Sequence, residues 1–272
     1  DVYKRQCQPG VKDWVRFRDG FRMDRIYSQM GYVFAKHIFG IKGSYAVDPQ
    51  KGAVVMTLTT QGDVPIHYTL DGSEPTAASP RYTGPVEIGK SARFRATALR
   101  EGGENASYSR EFAFSKSTGR PAVLNTKPND SYTFEGASLL VDGYHSRPVF
   151  TSGAWLGYLD EPLDVTIDMG GEQSYRSVEL ETLAEKGDWI FPPSSVTVWV
   201  SDNGTDFTEV ASVAVPEAKA GDADGIGRYR MQFPETSARY LKVVAQNAAA
   251  IPAWHPGAGS KGFLFVDEVV VE

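Results

Sequence analysis

Apolar residues follow two different rhythms along the chain. Over residues 11 to about 38, Trp14, Phe17 and Phe21 are spaced by three and four, and Ile26, Met30, Val33, Phe34 and His37 continue one face. That period predicts a long amphipathic helix, with Gly31 as the point where it would break. From Ser44 the period drops to two. Val54–Leu58 and Ile66–Leu70 read as strands, the second ending at the turn signal Asp71-Gly72. Pro75 and Pro80 keep the next stretch irregular, Ala92–Ala98 alternates as a half-buried strand, and Glu111–Phe114 closes the unit. Residues 44–116 therefore read as a small immunoglobulin-like sandwich. Residues 117–131, rich in Ser, Thr, Gly, Pro and Asn, read as a linker. Beyond them, 163–169, 178–183, 195–201, 207–215, 228–233, 239–246 and 263–271 read as strands with almost no helical pattern. Residues 132–272 are thus expected to form a larger β-sandwich or jelly roll.

Composition adds boundaries. The 272 residues suit two modest domains, and 41% hydrophobic content excludes a largely disordered chain. One cysteine, Cys7, excludes an intrachain disulfide and a Cys-based zinc cluster. No apolar run approaches the roughly 20 residues of a transmembrane helix. The chain begins at Asp1 with no apolar signal segment, so its start is expected to be a cut. Charge is uneven. Residues 1–43 hold nine Lys and Arg against four Asp and Glu, whereas residues 117–272 hold eleven against twenty-two. An acidic main body repels phosphate, which argues against nucleic acid as a partner.

Three stretches carry resemblances to known families. Tyr68-Thr69-Leu70-Asp71-Gly72-Ser73-Glu74-Pro75-Thr76, followed by Ser79, Tyr82 and Pro85, resembles the chitobiase/β-hexosaminidase C-terminal domain. That domain is a fibronectin-like sandwich behind the catalytic barrel of family 20 glycoside hydrolases. Lys12-Asp13-Trp14 and Phe17, placed just before it, resemble the last barrel helix of those enzymes. The larger unit resembles the coagulation factor 5/8 type C, or discoidin-like, domains, which are close to family 32 carbohydrate-binding modules. The matching residues are Leu140-Val141-Asp142-Gly143, Trp155 with Gly157, Ile167-Asp168-Met169-Gly170, Val200-Ser201-Asp202-Asn203-Gly204 with Phe207, Ala238–Val243, and Phe265 with Asp267-Glu268-Val269. Trp254-His255-Pro256 with Gly259 is similar to the version that ends bacterial family 20 hexosaminidases. The resemblances imply a mainly β chain. One α-helix left over from a TIM barrel precedes an immunoglobulin/fibronectin-like sandwich, and a discoidin-like jelly-roll sandwich follows it. They also imply export to the periplasm or surface of a bacterium, and the catalytic barrel of a parent β-N-acetylhexosaminidase as intramolecular partner.

Sugars are gripped by an aromatic face plus a few polar groups, and in such sandwiches by end loops. Two irregular stretches carry those residue types. One is Tyr144, His145 and Arg147, continuing to Trp155 and Tyr158; the other is Trp254 and His255. The ligand class implied is an N-acetylhexosamine- or galactose-type sugar. Trp155 is as fitting for the core as for contact, Trp254 is the stronger candidate for contact with docking on the barrel as its alternative, and Trp189 reads as an exposed edge or interdomain contact. Related modules hold one structural calcium near the two chain ends, and Asp142 and Glu268 match positions that supply oxygen ligands. The alternative for the pair is a plain turn aspartate and a charged edge residue.

No catalytic residue is assigned. The Gly-x-Asp-Glu string of family 20 enzymes is missing, and Asp267-Glu268 lies on a strand, whose alternation sends the two side chains to opposite faces. The chain also has no Gly-x-Ser-x-Gly and no His-Glu-x-x-His. The expectation is a non-catalytic accessory region that binds glycan for a parent enzyme. The rival is a pair of scaffold domains that brace the barrel and bind no sugar.

Overall fold

A computed structural model describes residues 40–60, 64–99 and 105–272. The helix expected over 11–38 lies outside the described residues. Among them, no helix is long and apolar enough to cross a membrane.

The first unit packs two three-stranded sheets face to face. One has the order β1 (Lys42–Asp48), β2 (Ala53–Thr59), β4 (Val86–Ile88), and the other β3 (Ile66–Thr69), β5 (Ala92–Ala98), β6 (Ala106–Phe112). Inward positions recur every second residue. Val54, Met56, Leu58, Ile66, Ile88, Phe94, Ala96 and Phe112 share one core, and Tyr68 stacks on Phe94 at 5.7 Å. The Asp71-Gly72 turn is built as expected. Asp71 Oδ1 accepts from the Ser73 N–H and hydroxyl, and Gly72 takes a φ of +83°. Strand structure begins at Lys42 rather than Ser44. The closing strand is Ala106–Phe112 rather than Glu111–Phe114.

The second unit is larger. Its strands run β11 (Thr208–Ala214), β10 (Ser195–Ser201), β12 (Gly225–Gln246), β9 (Leu163–Ala184), β13 (Leu264–Val271), β8 (Leu156–Tyr158). β9 and β12 are 22 residues each and pair along three stretches, Leu163–Asp168 with Tyr240–Ala245, Gln173–Tyr175 with Thr236–Ala238 and Ser177–Ala184 with Gly225–Gln232. Two pairs of expected strands are therefore halves of single strands. Gly170, at φ +79°, and Pro234 bend the chains without ending the ladder, and pairing lapses between Gln232 and Thr236. The stretch expected as linker is part of this body. Ala122–Leu124 forms β7 against β9, and Ser117 and Thr118 are buried.

The two units meet along the connector. Ala113 N–H donates to the Gly143 carbonyl at 2.7 Å, and Tyr45 Oη donates to Asp142 Oδ2 at 3.0 Å. Arg110 lies over the rings of both Tyr45 and Tyr144, at 4.6 and 4.1 Å. Gly119 sits against the Gly52 turn with φ +78°, and a Cβ there would lie 2.5 Å from Gly52 C. Gly119→Ala is expected to destabilise the chain by about 1–3 kcal/mol through strain and clash together. It should also expose the connector to limited proteolysis. A wild-type melting curve and digestion pattern would show that this contact does not hold the units together.

Candidate functional site

The segment after Val141 turns back on itself, and three carboxylates hold it. Asp142 Oδ1 accepts from the Tyr144 N–H at 2.7 Å while Oδ2 accepts from Tyr45. Both oxygens of Glu268 accept from the Gly143 N–H at 3.2 Å. Asp267 accepts from the Ser146 N–H at 2.7 Å and its hydroxyl at 3.0 Å. All three acids are buried. Asp267 and Glu268 thus reach the same loop, against the expectation that strand alternation sends them apart. The β13–β9 register shifts between Val266 and Val269, and this irregularity turns both side chains to one loop. Burial pushes the Asp142 carboxyl up to about 7, with the amide and Tyr45 hydrogen bonds opposing it. Burial, and then repulsion from Asp142, pushes Glu268 well above the ordinary carboxylate range; Asp267 is raised chiefly by burial. No Lys or Arg ion-pairs with any of the three among the described residues. The buried, hard oxygens of Asp142 and Glu268 fit the chemistry calcium asks for. Among the described residues, however, no group of three or more His, Cys, Asp or Glu converges as a metal set, so carbonyl oxygens would have to complete the shell.

The first expected sugar loop is dispersed. Tyr144 is an interdomain residue, tilted against Tyr45 at 5.9 Å beneath Arg110. His145 Nδ1 lies 2.9 Å from Glu181 Oε2, and Arg228 binds the other oxygen of that fully buried carboxylate. This pairing holds the imidazole pKa above its ordinary value. Trp155 and Tyr158 are both 0% exposed and belong to the core, which corrects their assignment as sugar contacts. The Trp155 indole N–H donates to the Arg147 carbonyl at 2.9 Å and so fixes the turn that presents Arg147 to solvent. Leu156 and Tyr158 both point inward from the short strand β8, a pattern too brief to read as alternation.

The second loop assembles an aromatic platform. His255 is its buried wedge. Gly257 N–H donates to Nδ1 at 3.1 Å, so the proton sits on Nε2, which donates to the Lys186 carbonyl at 2.9 Å. His255 thus supports the site and does not face it, a second correction. Trp189 and Trp254 stand edge-on to its ring at 6.1 and 5.6 Å, with Phe191 at 5.5 Å beneath. The two tryptophans are 43% and 40% exposed. Trp254 is held by its indole N–H on the Ala218 carbonyl at 2.9 Å. Trp189 is clamped by Gly257, where a Cβ would lie 2.8 Å from Cζ2 of the indole. Sequence reading left Trp189 out of the site, because it stands 65 positions before Trp254. Two half-exposed indoles packed on the same histidine offer faces that suit the C–H faces of a sugar ring, and His255 ties them to Lys186, whose side chain pairs with Asp224.

Comparison with known proteins agrees with this architecture. Residues 125–261, half of the chain, match the model of the F5/8 type C domain. The chain belongs to the F5/8 type C domain family. Residues 43–110 of this F5/8 type C protein match the chitobiase/beta-hexosaminidase C-terminal domain. No curated protein sequence matches it. Solved structures similar to it include chitosan-binding module 1 of a Paenibacillus chitosanase/glucanase, at 17% identity over 58% of this chain and 98% of that one, TM-score 0.38. A Streptococcus pneumoniae fucose binding module is 22% identical over 58% of this chain and 94% of its own, TM-score 0.37. A Clostridium perfringens module, CpGH89CBM32-5, in complex with GalNAc-β-1,3-galactose, is 16% identical over 56% and 94%, TM-score 0.38.

The three raised carboxylates set the pH dependence of the F5/8 type C unit. An acid whose folded pKa lies above its unfolded value contributes stability that is complete below the unfolded value and lost as pH rises through the folded one. For Asp142 that window runs from 3.8 to about 7. In the presence of a chelator, the melting temperature is expected to fall by a few degrees from about pH 5 to about pH 8. Asp142→Asn should flatten the fall. A melting temperature that rises over this interval contradicts the assignment.

Proposed function

We propose that the chain is the non-catalytic, glycan-binding accessory region of an exported β-N-acetylhexosaminidase. Trp189 and Trp254 form the sugar-stacking face. The observation that carries this reading is the pair of exposed indoles, each fixed by hydrogen bonds or close packing, at a loop end of a family F5/8 type C sandwich. Large apolar side chains ordinarily bury; two held rigid in water invite an apolar ligand face. An N-acetylhexosamine- or galactose-type sugar suits such a face. Binding would hold a parent catalytic barrel near polymeric substrate and raise its effective concentration, although each contact is weak. Periplasm or cell surface is the matching location. A scaffold role is favoured for the other face of the unit, where Tyr45, Arg110 and Tyr144 are spent on the neighbouring sandwich.

Glycan-array binding of the whole chain, followed by calorimetry on Trp189→Ala and Trp254→Ala, tests the assignment. Each variant is expected to weaken binding about tenfold or more, with the melting temperature little changed. Blank arrays would leave only the scaffold role.

Asp142 and Glu268 are the residues that would hold a structural calcium, whose positive charge would neutralise the buried acids. Millimolar calcium at about pH 8 is then expected to raise the melting temperature by several degrees and EDTA to reverse it, as for any ligand of the native state alone. Identical melting curves with calcium and with EDTA would exclude the metal.

A further inference from the structure

Among the described residues, only two that are not glycine hold a positive φ, Trp189 at 63° and Phe134 at 34°. Both are exposed aromatics, Phe134 at 45%. Bulky side chains rarely adopt this region, and such strain persists only where the surroundings impose it. At Trp189 the frame is plain: its N–H donates to the Lys186 carbonyl at 3.0 Å, its carbonyl accepts from Phe263 at 2.8 Å, and Ile190 and Glu185 exchange two backbone hydrogen bonds. Phe134 is held between two 3-10 turns, Asp130–Tyr132 and Gly136–Leu140. Its ring rests on Gly153, where a Cβ would lie 3.6 Å away. With the side chain 45% exposed, burial offsets little of the strain.

Phe134 and Trp189 are joined through a chain of contacts. The Phe134 ring is 6.4 Å from Tyr132, Tyr132 is 5.5 Å from Phe263, and Phe263 donates to the Trp189 carbonyl. Gly153, on which Phe134 rests, ends the 3-10 turn Phe150–Ser152 that Val149 begins, and the stretch leading into that turn exposes Arg147 and Val149. That turn is rigid: the Arg147 carbonyl accepts from both the Trp155 indole and the Val149 N–H, and the Ser152 N–H donates to the Val149 carbonyl. We propose that Phe134 and Val149 form a second stacking station with Arg147 as hydroxyl donor, so that the ligand is a glycan chain of several units laid from Trp189 and Trp254 to Phe134. The inference rests on the glycan reading of the two tryptophans. A preorganised second station gains affinity only from a ligand long enough to reach it.

Calorimetry on the whole chain separates the two readings. The probes are N-acetylglucosamine and its β-1,4 oligomers to the hexamer, and galactose and its β-1,4 oligomers to the tetramer. In the series that binds, wild-type affinity is expected to rise about tenfold or more from monomer to tetramer. Phe134→Gly should abolish that rise and leave monosaccharide affinity within about twofold. Its melting temperature should not fall, because glycine relieves the positive φ. Val149→Ser, which leaves the backbone untouched, should lower tetramer affinity by about threefold and guards against a misfolded glycine variant. Trp189→Ala should weaken every length. A chain-length gain that survives both Phe134→Gly and Val149→Ser, or no gain in the wild type, overturns the second station alone. If neither series binds the wild type, the glycan reading fails and the station falls with it.

Discussion

Three carboxylates sealed from water, Asp142, Asp267 and Glu268, fix the loop that joins everything else. Each binds backbone amides of residues 143–146, so the first loop of the F5/8 type C unit is stapled to its last strand. Asp142 also takes the Tyr45 hydroxyl, which carries the same staple into the neighbouring sandwich. Charge buried this deeply is tolerated only with hydrogen bonds, protonation or a bound cation. The loop is consequently held by buried acids whose burial favours their protonated form.

Other loops of the unit carry exposed aromatics. A small core of Trp155, Leu183, Ile190 and Phe265 underlies them, packed by Tyr132, Phe150 and Phe263. Ile190 follows Trp189 directly, so burying one fixes the backbone of the other. His255 plays the matching part for Trp254, as a neutral imidazole with both nitrogens satisfied. Rigid support below and open faces above are what a weak, preorganised stacking surface requires.

Much of the frame was legible in the chain. Period-two alternation located most strands of both sandwiches, and Asp71-Gly72 announced its turn. Alternation does not report whether a breaker ends a strand or only bends it, so β9 and β12 each read as two. It assumes regular pairing, so the shift at 266–269 that brings Asp267 and Glu268 together was invisible. Within the candidate site, Trp254 was legible because no periodic pattern explains a large aromatic there. The same logic misplaced Trp155 and His255, because an irregular loop can fold over its own core. Trp189 was read as exposed but not joined to Trp254, 65 positions away, and Phe134 was missed because its distinguishing feature is a backbone angle, which residue type does not encode when the residue is not glycine.

The most direct measurement follows the indole N–H resonances of the folded chain as a binding oligosaccharide is titrated in. If the exposed platform is the site, the Trp189 and Trp254 signals move together and saturate, while that of Trp155, buried and bonded to the Arg147 carbonyl, stays in place. Saturating movement confined to Trp155, or binding with Trp189 and Trp254 both unmoved, would contradict the account.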